Sequence, residues 1–428
     1  MNKIRNFFKN LGPGVITGAS DDDPSGIATY SQAGAQFGFG ALWFAPFQYP
    51  LMNVIQEMCA RIGLVTGGGL GNAIKKQFSK KVLLPITTLL LVANTINIGV
   101  DLGAMASATQ LIFPQIPIFA AAICFTVFVI SAEIFLPYKK YVKVLKILTL
   151  SLLAYVLTAV IVGGNIEQIL LSSVIPHIEL NSSFAMMAVA IFGTTISPYV
   201  FFWQASEEAE EDLIKNKITE IDSGEPKITN AEIKTMRLDI GVGIAFSLSV
   251  MWFIILTSAA TLYQNGITSI LTADDAAKAL EPLVQTFPHS GQASKIIFSL
   301  GIIGTGLLAI PVLAGSSAYA LADGFGWKQG LSKKFRQAKA FYLSIAVSTG
   351  IGLLINFIQI SPITALIYSA VINGIVSVPI LFVILKTANN KQILNGRTNG
   401  KTSNVVGWFT FFLMAASVCV MLVFFVWD

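Results

Sequence analysis

The stretch Gly18-Ala19-Ser20-Asp21-Asp22-Asp23-Pro24-Ser25-Gly26 decides how this chain is read. It sets three consecutive carboxylates and a helix-breaking proline inside residues 15–44, which otherwise have the composition of a transmembrane helix. One ionised carboxylate at bilayer depth costs ~3 kcal/mol on insertion scales, so three in a row require a cation, water or a paired partner. Pro24 lacks an amide proton and its ring blocks the carbonyl four residues earlier, while Gly26 accepts non-helical angles. The helix is therefore expected to open here. Opened backbone survives at membrane depth only against protein or a wet cavity, which makes this stretch one half of a cation site.

With 54% hydrophobic and 12% charged residues among 428, the chain is too apolar for a soluble globule. It is long enough for about eleven spans of about 20 residues each. Apolar windows place them near 13–37, 41–64, 83–111, 116–136, 142–163, 184–205, 237–263, 293–321, 340–358, 362–386 and 405–427. If the N-terminus is cytoplasmic, every Lys and Arg except Lys278 and Lys295 falls on the inner side, which is the asymmetry that sets topology. An odd span count then puts the C-terminus outside, in a multi-pass protein of the inner (plasma) membrane. The net charge of +5 lies beside the lipid bilayer in loops, so nucleic acid is not expected as a partner. Cys59, Cys124 and Cys419 sit in apolar stretches without CxxC spacing and read as packing residues. The N-terminal MNKIRNFFKN has no apolar core or small-residue cleavage site, so no cleaved signal peptide is expected.

A second interruption answers the first. Span six reads Ala190-Ile191-Phe192-Gly193-Thr194-Thr195-Ile196-Ser197-Pro198-Tyr199, with a glycine, three hydroxyl residues and a proline at mid-membrane. Taken alone it reads as a proline-kinked helix whose hydroxyls bond their own backbone. Its position changes that reading, because spans one and six each open a block of five. Paired interrupted helices at matching places in two halves mark inverted-repeat transporters with a midplane site. The expected organisation is residues 1–163 as the first repeat, 164–400 as the second and 401–428 as an additional eleventh span.

Gly12-Pro13-Gly14, the Asp23-Pro24 break, Gln36-Phe37-Gly38, Ala60-Arg61-Ile62-Gly63-Leu64-Val65-Thr66-Gly67 and Asp101-Leu102 resemble the NRAMP divalent-metal transporters, over most of the chain. The resemblance implies a LeuT-like fold with the metal held between unwound spans one and six. In typical members the first break reads Asp-Pro-Gly-Asn, and the second carries an Ala and a Met, the Met being followed by Pro and His. Here Asp23 keeps the aspartate place, Ser25-Gly26 stand where Gly and the ligand Asn would be, Thr194 takes the Ala place, Ser197 the Met place and Tyr199 the His place. These departures are similar to the prokaryotic NRAMP-related magnesium transporters. The resemblance also ties Asp101 to proton handling, although the Glu seven residues before it is Asn94 here. The alternative for Asp101 is a buried acid hydrogen-bonded to Asn94, Asn97 or a water.

The chemistry points the same way. A thioether favours softer ions, and the second break offers none. What remains is oxygen: the carboxylates of Asp23 and Asp22, hydroxyls of Ser197 and Thr194, freed carbonyls of Ser20 and Thr194, and the amide of Asn373 in span ten. All-oxygen ligation suits Mg²⁺ or Mn²⁺, and Mg²⁺ usually keeps several waters. Gly26 and Ser197 in place of larger side chains would widen the pocket for a hydrated ion.

The remaining motifs carry no further chemistry. Asp21-x-Asp23-x-Ser25-Gly26 imitates half of an EF-hand loop, but Pro24 lies inside it and Gln32 stands where the bidentate Glu belongs. Gly67-Gly68-Gly69-x-Gly71 lacks a following GK[ST] and reads as an inner turn. Glu57 and Arg61 are spaced as an i,i+4 pair. The acidic run Glu207, Glu208, Glu210, Glu211, Asp212 reads as a solvated helix end. Trp43, Trp203, Trp327, Trp408 and Trp427 read as interfacial anchors.

His177 and His289 both fall in outer loops, so no imidazole stands inside a span to shuttle protons. The expected function is a secondary transporter importing a divalent metal ion by alternating access, Mg²⁺ before Mn²⁺, without proton coupling. No cofactor is expected beyond the transported ion. The alternative is a proton-coupled Mn²⁺ or Fe²⁺ importer. A metal-dependent membrane enzyme is disfavoured, because no histidine or Ser/Lys constellation accompanies the aspartates. The paired breaks favour a carrier over a channel.

Overall fold

Span one is two helices, α1 (Pro13–Asp21) and α2 (Pro24–Phe37), separated at Asp22–Asp23. Asp23 takes extended backbone angles and caps α2, while Pro24 occupies its first turn, where a missing amide proton costs nothing. In this computed structural model, which describes residues 13–135, 152–286, 289–357 and 360–427, the elements that follow are all helical. They are α3 (Phe44–Thr66), α4 (Leu70–Phe78), α5 (Lys80–Ile112), α6 (Ile118–Phe135), α7 (Leu153–Val162) and α8 (Ile166–Val174). Span six is again broken, into α9 (Ser182–Thr195) and α10 (Pro198–Ile214). Then come α11 (Asn230–Thr261), the short α12 (Ala273–Lys278), α13 (Ser290–Phe325), α14 (Lys339–Ile355), α15 (Pro362–Ala388) and α16 (Lys401–Trp427).

Among the described residues seven helical stretches are long and apolar enough to cross a membrane, taking α9 and α10 together. The other four expected spans are the broken span one, α3 with its Gln48, Asn53, Gln56, Glu57 and Arg61, and the shorter apolar helices α7 and α14. The beginning of span five and its basic loop, Lys139 to Lys146, lie outside the described residues, as do the basic N-terminal positions.

The packing follows two-fold logic. Span one lies on α11 as span six lies on α3, and α5 packs on α6 as α13 packs on α14. That exchange of partners is what two related five-helix blocks require, and the architecture is the LeuT-like inverted repeat with spans one and six unwound at mid-membrane. Small residues allow the close crossings. A Cβ on Gly18 would lie 2.5 Å from the backbone of Gly243, one on Gly63 2.1 Å from the Ala205 carbonyl, and one on Gly193 2.1 Å from the Ala370 carbonyl.

Three expectations are corrected. The acidic run of span six is not a solvated end, since Glu207, Glu208, Glu210 and Asp212 are all buried. Trp203 is no interfacial anchor: it lies in the core, edge-on to Tyr319, because the span runs on well past it to Ile214. Of the cysteines only Cys59 is buried; Cys124 and Cys419 are exposed on the outward faces of α6 and α16.

Gly193→Ala tests the crossing of span six with α15. Forcing the helices apart should cost about 1–3 kcal/mol, seen as a lower thermal unfolding midpoint of the purified protein. Gly350→Ala, where an added Cβ meets nothing within 4 Å, should leave the midpoint unchanged or raised.

Candidate functional site

The three aspartates at the first break point in two directions. Asp23 Oδ1 accepts from the Gly26 amide and the Ser25 hydroxyl, each at 2.7 Å, and its Oδ2 accepts from Asn97 Nδ2 of α5 at 2.9 Å. Asp21 and Asp22 turn to α11, where the Ser247 hydroxyl lies 3.4 Å from Asp21 Oδ2 and 3.2 Å from Asp22 Oδ1. Asp21 Oδ1 and Asp22 Oδ2 are buried without a hydrogen-bond partner. Each of the three residues is at most 1% exposed, so the break is buried in this conformation.

The second break faces the first. Ser25 Oγ and Thr194 Oγ1 are 3.4 Å apart, and a Cβ added at Gly26 would stand 3.3 Å from Thr194 Oγ1 and 3.5 Å from Asp23 Oδ1. Position 26 therefore lies against both breaks, and with Tyr30 also 3.3 Å away it offers less space than a methyl group needs, so the expected widening at this glycine is not found in this conformation. Tyr199 donates to the Ser20 carbonyl at 3.5 Å, a second bridge between spans one and six. The expected freed carbonyls are thus partly used: Ser20 by Tyr199, and Thr194 by the Ser197 hydroxyl at 2.6 Å. Ser197 also donates to the Gly193 carbonyl at 2.8 Å, so its proton is committed to its own helix and only its oxygen lone pairs remain for a ligand.

The Asn373 side chain hydrogen-bonds to neither break. Its Nδ2 donates to Asn97 Oδ1 at 3.0 Å, leaving Asn373 Oδ1 buried and unpartnered. Asn97 Nδ2 also donates to Asp101 Oδ2 at 3.1 Å. Asn97 is therefore the hub joining Asp23, Asp101 and Asn373, and Asp101 keeps a bare Oδ1. Asn94 takes no part, since its amide goes to α13, to the Leu313 carbonyl and the hydroxyls of Ser316 and Ser317.

Sequence reasoning named Asn97 only as a possible partner of Asp101. Its i,i+4 spacing from that acid was the available signal. Ser247 and Ser377 were missed altogether. Ser377 of α15 donates to the Ile196 carbonyl at 2.6 Å and so holds open the second break. Neither serine has a local signature, because each acts across about half the chain.

Among the described residues no Lys, Arg or His pairs with Asp21, Asp22, Asp23 or Asp101. The basic side chains pair elsewhere, as Arg61 and Arg237 do on Glu57. Along α10, beyond the second break, Gln204 links Gln56 to Glu208, Tyr319 donates to Glu210 at 2.8 Å, and Lys217 meets Asp212 at 3.0 Å. Asp239 of α11 accepts from the Gly14 amide at 2.7 Å and so anchors the start of α1. No group of three or more His, Cys, Asp or Glu among the described residues is arranged as a metal-ligand cluster. A cation that keeps its water needs one or two carboxylates.

A closed helical bundle in which two interrupted helices meet over buried carboxylates is the architecture of an inverted-repeat membrane transporter. The chain belongs to the Nramp family: the model for natural resistance-associated macrophage protein-like proteins matches residues 14–424. The divalent metal cation transporter MntH of Pectobacterium carotovorum subsp. carotovorum (strain PC1) is 23% identical over 412 residues, covering 93% of this chain and 90% of its own. MntH of Yersinia enterocolitica serotype O:8 / biotype 1B is 25% identical over 411 residues, with the same coverage of 93% and 90%. The crystal structure of an Eremococcus coleocola manganese transporter, in complex with an aromatic bis-isothiourea substituted compound, superposes with a TM-score of 0.75 at 16% identity over 98% of this chain and 86% of that one. Mhp1, a nucleobase-cation-symport-1 family transporter, shares the fold at a TM-score of 0.56 and 15% identity over 96% of this chain and 92% of its own.

The cap and the charge of Asp23 are separable. Asp23→Ala should destabilise the metal-free protein by about 1 kcal/mol through loss of the helix cap, whereas Asp23→Asn, which retains a capping oxygen and loses only the acceptor facing Asn97, should melt between Asp23→Ala and the unaltered protein. Thermal unfolding in chelator-treated buffer reads the difference.

Proposed function

We propose that this protein imports a hard divalent cation, Mg²⁺ in preference to Mn²⁺, across the inner membrane as a secondary transporter working by alternating access. The observation that carries the reading is the absence, among the described residues, of any cationic side chain paired with the four buried carboxylates Asp21, Asp22, Asp23 and Asp101. Buried charge without a partner is costly, and a divalent cation is the partner that a set of oxygen donors selects. The printed functions of the relatives, divalent metal cation and manganese transport, support the coarser class.

Mg²⁺ is preferred to Mn²⁺ on the donor set. Asp23 and Asp22 supply carboxylates, Ser20 and Thr194 carbonyls and Ser197 a hydroxyl oxygen, with Tyr199 closing the Ser20 side and Asn373 held one step back on Asn97. Most of these oxygens already carry one internal hydrogen bond, so a water-retaining ion suits them better than a fully stripped one. No histidine stands within a span, and transport driven by the ion gradient and the membrane potential needs no proton: a divalent cation gains about 4.6 kcal/mol per 100 mV on moving inward.

Calorimetry on folded variants tests this reading. Asp23→Asn should abolish Mg²⁺ binding while leaving the helix cap in place. Ser197→Met with Gly26→Asn should raise the ratio of Mn²⁺ to Mg²⁺ affinity, because a thioether and a bulkier amide penalise an ion that holds its water. Unimpaired Mg²⁺ binding in Asp23→Asn, or an unchanged ratio in the double variant, would contradict it.

A further inference from the structure

The polar cluster that joins spans one, three and ten is not explained by the broken helices. Asn97 Nδ2 donates to Asp23 Oδ2 at 2.9 Å and to Asp101 Oδ2 at 3.1 Å, which leaves those two carboxylate oxygens no more than about 6 Å apart. Asn373 Nδ2 holds the other side of the same amide at 3.0 Å. Asp101 Oδ1 and Asn373 Oδ1 are both buried without a partner. Asp101 is 0% and Asn373 1% exposed, so both oxygens lie away from the protein surface. An amide proton pair shared between two carboxylates is a weak counterweight to two charges, and an unpartnered amide oxygen beside them is costly unless something visits it.

We infer that Asp101 and Asn373 form a second seat for the hydrated divalent cation, sharing Asp23 with the seat between the two breaks and occupied when the Asn97 amide swings away. This inference rests on the cation reading proposed above. Direct ligation on both sides of Mg²⁺ needs facing oxygens ~4 Å apart, and one contact made through a bound water lengthens that span. Asp23 Oδ2 and Asp101 Oδ2, no more than about 6 Å apart, lie within the span of an ion that touches one carboxylate and reaches the other through its own water. Carboxylate and amide oxygens are hard donors, so the seat takes Mg²⁺ or Mn²⁺ ahead of softer ions. Asp101 thereby acts as a cation-facing group on α5.

The test is titration of Mg²⁺ into the full-length protein in detergent at one fixed pH. Asp101→Asn keeps an oxygen for Asn97 to donate to and removes only the charge; Asn373→Ala removes the bare oxygen. Each variant should weaken Mg²⁺ binding about tenfold, the size of one charge-assisted contact, with the thermal midpoint held or raised in Asp101→Asn. Binding as tight as in the unaltered protein in either variant overturns the second seat. Unchanged affinity in Asp101→Asn together with loss of metal-linked proton movement in liposomes would place Asp101 on a proton path and also overturn it. Failure of the unaltered protein to bind Mg²⁺ at all would overturn the cation reading itself, so the two failures are distinguishable.

Discussion

The structure depends on how one carboxylate is held at a helix break. Asp23 cannot sit in a continuous helix followed by Pro24, and it cannot sit ionised in a bilayer without donors. Both constraints are met at once when the helix opens: the Gly26 amide and the Ser25 hydroxyl close on Oδ1, and Asn97 reaches across from α5 to Oδ2. Three donors on one carboxylate still leave a net negative charge, and its neighbours Asp21 and Asp22 share a single serine hydroxyl. Those four carboxyl groups, counting Asp101, without a basic partner among the described residues, are the ground on which a cation is proposed for the interior.

Everything around the break serves to bring a second one beside it. Glycines thin the helices where they cross, at Gly18 against Gly243 and at Gly193 against Ala370, so that spans one and six approach α11 and α15 closely enough for hydroxyls and amides to cap the exposed carbonyls. Ser377 holds Ile196, Ser197 holds Thr194 and Tyr199 reaches Ser20. In lipid each of these carbonyls would otherwise be unsatisfied at a cost of several kcal/mol. The second half of span six continues the theme with buried acids held by Gln204, Tyr319 and Lys217, so that a line of hydrogen-bonded carboxyl groups follows α10 away from the break.

Much of this was legible in the amino-acid sequence, for a physical reason. Helix breaks have local causes, and Asp23-Pro24 and Ser197-Pro198 carry theirs in adjacent residues; hydrophobic length and the distribution of Lys and Arg likewise act locally. The Glu57 and Arg61 pair was legible because its spacing is one helical turn. What escaped were groups whose meaning comes from a distant segment. Asn97 looks like any mid-span amide until Asp23 and Asn373 are placed against it, and Ser247 is one of several serines in α11. The acidic run after Trp203 misled because solvation is the usual fate of clustered charge, and only the enclosing helices reveal its burial. Ser197 was expected to face the ion with a free hydroxyl, but with two unsatisfied carbonyls one turn behind it, its proton is drawn back to its own helix.

The central claim is that the uncompensated carboxylates carry a hydrated hard cation driven by charge and concentration alone. The most direct measurement is Mg²⁺ uptake into proteoliposomes at a clamped membrane potential, with the internal pH recorded alongside. The account predicts Mg²⁺ flux that rises with inside-negative potential, changes little between about pH 6 and 7.5, and leaves the internal pH steady. Acidification of the lumen in step with metal uptake, or Mn²⁺ flux without Mg²⁺ flux, would contradict it.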